Sequence, residues 1–357
     1  MIDIILEALL SGWDALLDYV TNHTVTCLIP ALFIAGAIAA FVKKEAILKY
    51  LGPRVGRYIS YPIAATSGVV LAVCSCTILP LFAGIYKKGS GIGPATAFLY
   101  SGPAINVLAI FYTGSALGYD LGAARAFGAI LMSMVIGAYM SLMFRKHDRE
   151  LVRDAVKNPT SVQDTGGKTR KWIVPALLGI LLGILIFAAS SLSWTIKGPI
   201  VAGLLIVLGL MLWKLFETED LRDWWDETWD LSKKIVPILV IGAFVVGIIA
   251  YFLPPETFAP IVGGESIISN LTASVIGALL YMPTLLEVPI IGTTFGYLDG
   301  QMGSGPALSL LLAGPAVSLP NMIVLYKVMG AKKTGAYILL VIIISTMAGH
   351  VYGNLIV

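Results

Sequence analysis

Charge is the scarce ingredient of this sequence. Asp, Glu, Lys and Arg make up 13% of its 357 residues, about half the roughly 25% of ordinary soluble domains. A chain that is 57% hydrophobic, with a mean hydropathy of +0.87, leaves no room for a large water-soluble domain. That excludes a soluble enzyme, a nucleic-acid binder and a disordered regulator. Histidine is nearly absent too: His23, His147 and His350 are all there are, and with no HExxH motif an intramembrane hydrolase is not expected. No GxxxxGK[ST] phosphate loop occurs, so an ATP-driven pump would need a separate subunit. Cys27, Cys74 and Cys76 are too few, and too apolar in context, for a disulfide framework. No cofactor is implied, and the chain is read as a non-enzyme. The opening Met-Ile-Asp-Ile-Ile-Leu-Glu lacks the basic stretch of a secretory signal, so the N-terminus is expected to be retained.

What is abundant is apolar sequence in lengths that cross about 30 Å of hydrocarbon. Such stretches lie at 24–42, 91–113, 122–144, 172–192, 197–213, 235–253, 304–326 and 335–356, which predicts eight crossings. Two more, near 59–86 and 267–292, are interrupted by CSCTILP (74–80) and MPTLLEVP (282–289). If both simply crossed, Lys and Arg would be split 10 to 14 between the two sides. If both enter and leave on one side, 22 lie on one side and only Arg125 and Lys197 on the other, as the positive-inside rule demands. Both are therefore read as re-entrant or broken helices, with both chain termini outside. Arg125 and His350 are expected near the outer surface, with no role assigned.

The chain also repeats itself. GPATAFLYSGPAI (93–105) matches GPALSLLLAGPAV (305–317) at seven of thirteen positions. PALFIAGAIAAFV (30–42) pairs with PILVIGAFVVGII (237–249), and Thr77 and Pro80 pair with Thr284 and Pro289. The offset drifts only from 207 to 212. Five crossings separate the first spans of the two repeats, so the halves have opposite orientation. The fold class is an all-α integral membrane protein: an inverted repeat of about eight full transmembrane helices, two broken segments and an N-terminal interfacial helix. Residues 1–22 form that helix, a poor transmembrane span being the alternative, and 23–145 the first repeat. Residues 146–171 are a cytoplasmic linker and 172–213 a connecting helix pair. Residues 214–234, with Trp224, Trp225 and Trp229, are a cytoplasmic interfacial helix, and 235–357 the second repeat.

Inverted repeats with discontinuous helices place their sites where the breaks meet, because a break frees backbone groups that hydrocarbon cannot satisfy. At the first break, Cys74 and Cys76 bracket Ser75 and precede Thr77 and Pro80. Soft thiols suit trivalent arsenic, Cu(I) or Hg(II) better than a sugar or an inorganic oxyanion; plain packing between helices is the competing account. Cys27 is read as packing. At the second break Glu287, between Pro283 and Pro289, is a candidate proton acceptor or a partner for a cation, or else a solvated headgroup-level residue. Thr77 and Thr284 are hydrogen-bond candidates for a hydroxylated ligand, or bond their own helices. Gly102, Pro103, Gly314 and Pro315 are expected to bend the third helix of each repeat, bringing Asn106, Ser318 and Asn321 to the cavity as ligand groups or as caps for freed carbonyls.

CSCTILPLFAGIYKKGSGIGPATAFLYSGPAIN, together with PTLLEVPIIGTTFGYLDGQMGSGPALSLLLAGPAVSLPN, resembles the large family of predicted permeases that includes the ArsP organoarsenical efflux permeases. The likeness covers roughly 24–144 and 235–356. It implies a multi-pass permease of the cytoplasmic membrane. For the ArsP branch it implies efflux of trivalent organoarsenicals, with Cys74 and Cys76 the thiols nearest the metalloid; Thr77 stands where family members often have Gly. The leading expectation is a secondary permease exporting a soft solute in exchange for protons through Glu287. The alternatives are a permease for an unrelated solute, a passive channel, or a thiol-redox conduit of the CcdA-like kind. That last reading is disfavoured because all three Cys lie in the first half. Expected partners are the lipid bilayer and a small-molecule or metalloid substrate, with no nucleic acid; a homodimer is compatible with the sequence.

Overall fold

The computed structural model describes residues 2–18, 29–41, 51, 55, 57–71, 75–87, 89–105, 107–146, 148–150, 170–189, 194–252, 261–279 and 287–356. Cys27, Cys74, Asn106, Pro283, Thr284 and most of the 146–171 linker lie outside them. The described residues are helical, with no strand among them. In the first half run α1 (Ile2–Asp18), α2 (Ile29–Phe41), α3 (Arg57–Leu71), α4 (Ser75–Lys87), α5 (Ile92–Ala104), α6 (Val107–Leu117) and α7 (Tyr119–Met143). The pair α8 (Arg170–Ala189) and α9 (Trp194–Leu215) follows. The second half holds α10 (Thr218–Phe252), α11 (Ile267–Leu279), a short turn Glu287–Pro289 continued by the wider turn Ile290–Thr294, α12 (Ser304–Ala313), α13 (Leu319–Met329) and α14 (Ala331–Val351).

Each half is assembled by the same pairings. In the first, α3 packs on α5, and α7 on α3, α5 and α6; in the second, α11 packs on α12, and α14 on α11, α12 and α13. In each half two helices meet glycine on glycine. A Cβ on Gly137 would stand 2.8 Å from the Gly93 carbonyl oxygen, and one on Gly93 2.7 Å from the Gly137 oxygen. Gly305 and Gly349 meet in the same way, a Cβ on Gly305 standing 2.6 Å from the Gly349 oxygen. All four obey the 212-residue offset, which carries the repeat beyond the Gly-Pro-Ala blocks into α7 and α14. With no hydrophobic drive between helices in lipid, such backbone contact supplies the association.

Two sequence expectations change. The stretches 91–113 and 304–326, expected as single bent helices, are each two helices. α5 and the axis of 109–117 differ by 46°, and α12 ends at Ala313 while α13 starts at Leu319. A proline in the last turn, with no N–H to give and no tolerance for a preceding helical turn, ends a helix rather than curving it. Accordingly, three described helices are long and apolar enough to cross alone, Tyr119–Met143, Gly198–Leu215 and Ala331–Ile356, with α5 and α6 a fourth crossing if taken as one bent span. The second change is that 214–234 is no separate interfacial helix. It continues without interruption into the next span as α10, 35 residues long or about 52 Å. Its stripe Trp224, Thr228, Leu231 and Ile235 is buried at helical spacing; Trp224 Nε1 donates to the Phe33 carbonyl of α2 at 2.8 Å. The N-terminal helix α1 is docked along the far end of α10, with Gly12 against Phe244 and Ile248 and Tyr251 donating to Glu7 at 2.6 Å.

Overpacking the glycine seams should separate the halves' own helices. Gly137→Val and Gly349→Val are each expected to destabilise by about 1–3 kcal/mol, read as a lowered melting temperature in detergent. Gly179→Val, where nothing lies within 4 Å, should leave it unchanged; equal effects at all three sites would refute the seam.

Candidate functional site

The two Gly-Pro-Ala breaks face one another. Tyr100, two residues before Gly102, donates its hydroxyl to the Leu312 carbonyl, two residues before Gly314, at 3.0 Å. These are counterpart positions of the two repeats, and a residue meets its own counterpart only where the halves are apposed. The carbonyls at the end of α12 are met piece by piece. Gly314 N–H donates to Leu310, Val317 N–H to Ala313, Tyr100 to Leu312, and Tyr337 of α14 reaches Ala316 at 3.5 Å.

At this junction Glu287 and Arg125 are both fully buried, 0% exposed. Arg125 Nη2 stands 3.4 Å from Glu287 Oε2, and Arg125 Nη1 donates to Thr113 Oγ1 at 2.9 Å. Thr113, on α6, is itself held by the Ala109 carbonyl at 2.7 Å. The carboxylate lies against the break glycine: a Cβ on Gly314 would fall 2.5 Å from Glu287 Oε1, so only glycine leaves room for the acid. The pair is incompletely satisfied. Among the described residues, Glu287 Oε1 and Arg125 Nε have no hydrogen-bond partner, and neither do Ser318 Oγ and Asn321 Oδ1 at the head of α13. Buried polar atoms without partners are rare and mark places where a ligand or proton belongs.

The repeat makes the site's asymmetry visible. The side chain against Gly102 is Ile78, whose Cδ1 would stand 2.6 Å from an added Cβ. Ile78 precedes Glu287 by 209 residues, the offset between Pro80 and Pro289. One half thus presents isoleucine to its break and the other a carboxylate. Arg125 in turn corresponds to Tyr337 at the 212-residue offset.

Arg125 corrects the sequence reading, which put it at the outer surface. It is one of the buried stripe Leu121, Gly122, Arg125, Ala129, Met132, Ser133, Ile136 and Gly137 on α7. That three-and-four spacing was the signal available; the charge tally counts sides of the membrane and is blind to facing. His350 is half-buried, its Nδ1 3.2 Å from the Glu265 carbonyl oxygen and 3.0 Å from Asn354 Nδ2, away from the pair.

Of the other candidate residues, Ser75, Cys76 and Thr77 form the first turn of α4, immediately before Ile78. Pro80 is buried inside α4, Gly102 and Pro103 in the last turn of α5, Gly314 and Pro315 in the turn after α12, and Asn321 in the first turn of α13; Pro289 is half-buried just after Glu287. No cluster of three or more His, Cys, Asp or Glu able to hold a metal occurs among the described residues. A cavity of about 340 Å³ lies between α4 and the second half's α10 and α13, lined by Tyr86, Lys87, Leu231, Ile235 and Lys327 among others. Lys87 there pairs with Asp230 at 3.3 Å and Glu227 at 3.6 Å.

The buried pair has an unequal dependence on its partners. Arginine does not shed its proton, whereas a stranded carboxylate neutralises itself by taking one up. Glu287→Gln is therefore expected to destabilise by about 3–5 kcal/mol, more than Arg125→Gln, and the Arg125→Gln/Glu287→Gln double variant should recover much of the loss. Equal single penalties without recovery in the double, measured by thermal melts in detergent, would contradict the pairing.

Comparison with known proteins agrees with this architecture. Residues 10–354 match the profile of the ArsP-type family described as "predicted permease". A UPF0718 protein of Methanocaldococcus jannaschii is 42% identical over 95% of this chain and 94% of its own length. The UPF0718 protein YraQ of Escherichia coli K12 is 23% identical over 94% of this chain and 81% of its own length. A protein of Streptococcus mutans named a putative two-component membrane permease complex subunit is 20% identical over 82% of this chain and 78% of its own length. No solved structure matches. An all-helical chain with apolar spans, paired half-repeats and a family match over nearly its whole length belongs to the ArsP-type predicted permease (UPF0718) family and is a multi-pass membrane permease.

Proposed function

We propose that this permease exports a small, soft, thiophilic solute, a trivalent arsenical or organoarsenical being the best fit, in a cycle coupled to proton binding at Glu287. The observation that carries the reading is the buried Arg125–Glu287 pair, which ties α7 of the first half to the break of the second. A charge pair inside hydrocarbon is retained only for use. Protonation of Glu287 removes the countercharge of Arg125, severs the tie and lets the halves rock. Loss of the proton restores the tie after the solute has left. The cavity beside Lys87 and Lys327, at the end of the bundle that the charge pattern assigns to the cytoplasm, suits the inward approach.

The soft-solute part rests on Cys74 and Cys76 of the CSCTILP segment, Cys76 lying in the first turn of α4 two residues before Ile78, which packs against Gly102, and on the family's ArsP name. Thiolates grip As(III) strongly, so turnover requires weak coordination, through one thiol at a time. In everted vesicles methylarsenite should accumulate when a proton gradient is imposed. Cys74→Ser/Cys76→Ser is expected to reduce the initial rate at least tenfold, and Glu287→Gln to make residual uptake insensitive to the gradient, each normalised to folded protein. Full accumulation in the double-cysteine variant would overturn the thiophilic substrate, and a gradient-dependent Glu287→Gln protein would overturn the coupling role.

A further inference from the structure

We infer that Arg125 is an anion subsite of the transport pathway: the solute carries a negatively charged oxygen group that takes the place of the Glu287 carboxylate, so that anion and proton are taken up together. The inference rests on the permease reading and on Glu287 as proton site, and it narrows the substrate class. It starts from the way the guanidinium is used. Arginine recognises a carboxylate or oxyanion best through two parallel N–H groups, at about 2.7–2.9 Å. Here Nη2 meets only one oxygen of Glu287, at 3.4 Å, while Nε has no partner and Glu287 Oε1 has none either. Nε and Nη2 form one edge of the fork. That edge is half used, in a place where no water competes, because both side chains are fully buried.

The guanidinium is anchored independently of the acid. Nη1 donates to Thr113 on α6 at 2.9 Å, and Thr113 is fixed to Ala109. Glu287 can therefore leave without releasing Arg125. Its position at the head of a three-residue turn beside Gly314 gives the acid little of its own to hold it. When Glu287 accepts a proton, Arg125 keeps its charge and needs another anion. The titratable group that faces the pair is Tyr100 on α5, with Tyr337 of α14 in turn facing Tyr100; α6 presents Thr113, α12 ends at the bare Gly314, and no second carboxylate faces it among the described residues. The replacement anion must then come from the solute. Lys327 in the cavity lining at the basic end favours the approach of such a solute.

Protons balance as follows: the ionised carboxylate takes one proton from solvent as the incoming anion occupies the guanidinium, and the site's net charge is unchanged. Purified protein in weakly buffered detergent solution, challenged with phenylarsine oxide, with its para-carboxylate derivative and with benzoate, tests this directly. The expected result is uptake of about one proton per bound molecule of either carboxylated probe and none with phenylarsine oxide. The carboxylated arsenical should bind at least tenfold more tightly than the neutral one. Arg125→Gln/Glu287→Gln, which leaves no stranded charge, should lose both the proton uptake and the tenfold preference, and Arg125→Lys should keep the first and weaken the second. Absence of proton uptake with both carboxylated probes overturns the anion subsite, even if methylarsenite is still exported. Benzoate uptake with a proton, alongside no binding of either arsenical, upholds the subsite and refutes the arsenical substrate instead.

Discussion

Hydrocarbon cannot hydrogen-bond a freed carbonyl, and the architecture follows from that constraint. Each half of this permease interrupts its helices at Gly-Pro-Ala, leaving carbonyls that lipid would penalise. The solution is to turn the breaks toward each other, so that Tyr100 from one half and Tyr337 from the other supply hydroxyls to Leu312 and Ala316. Apposition requires close helices, and the Gly93–Gly137 and Gly305–Gly349 contacts provide them. The glycine that ends α12 also opens the one space into which a carboxylate fits. Break, close packing and acid are successive consequences of one requirement.

Duplication alone would give a symmetric junction. The symmetry fails at two positions: Glu287 stands where the first half has Ile78, and Arg125 where the second has Tyr337. Each departure taken singly would leave an uncompensated charge in a dry interior, at a penalty of several kcal/mol. Together they are tolerated, and because they sit in opposite halves their attraction acts between the two bodies that the proposed cycle moves. An ion pair of 3.4 Å with an unused donor and acceptor is weaker than a structural pair needs to be, which suits a contact that opens in every cycle.

Much of this was legible in the sequence, and the gaps have physical reasons. Composition alone dictates an all-helical membrane protein, since no other use of 57% hydrophobic residues with so little charge is stable. The Gly-Pro-Ala blocks mark where the third helix of each repeat departs from straightness, and Glu287 is conspicuous between two prolines. Severity of the break was underestimated, because Gly and Pro bend a helix or end it depending on what receives the freed groups, and Tyr100 and Tyr337 are distant in sequence from Leu312 and Ala316. Arg125 was misplaced because hydropathy averages over a window and hides the stripe from Leu121 to Ile136 in which it is one member. The helix α10 was divided at its change from charged to apolar composition, although Trp224, Thr228, Leu231 and Ile235 keep one register across the boundary. Ser318 and Asn321 were noted as polar residues after a break; that their oxygens are buried without partners is visible only in three dimensions.

The central claim is that Glu287 lies inside the membrane, paired with Arg125. Dicyclohexylcarbodiimide partitions into lipid and modifies carboxyl groups that are buried and protonated, and peptide mass spectrometry of native membranes locates the adduct. The account predicts modification at Glu287, slow while Arg125 holds the carboxylate, faster on acidification, and faster still in Arg125→Gln. A Glu287 that never reacts, or that reacts equally fast with and without Arg125, would contradict it.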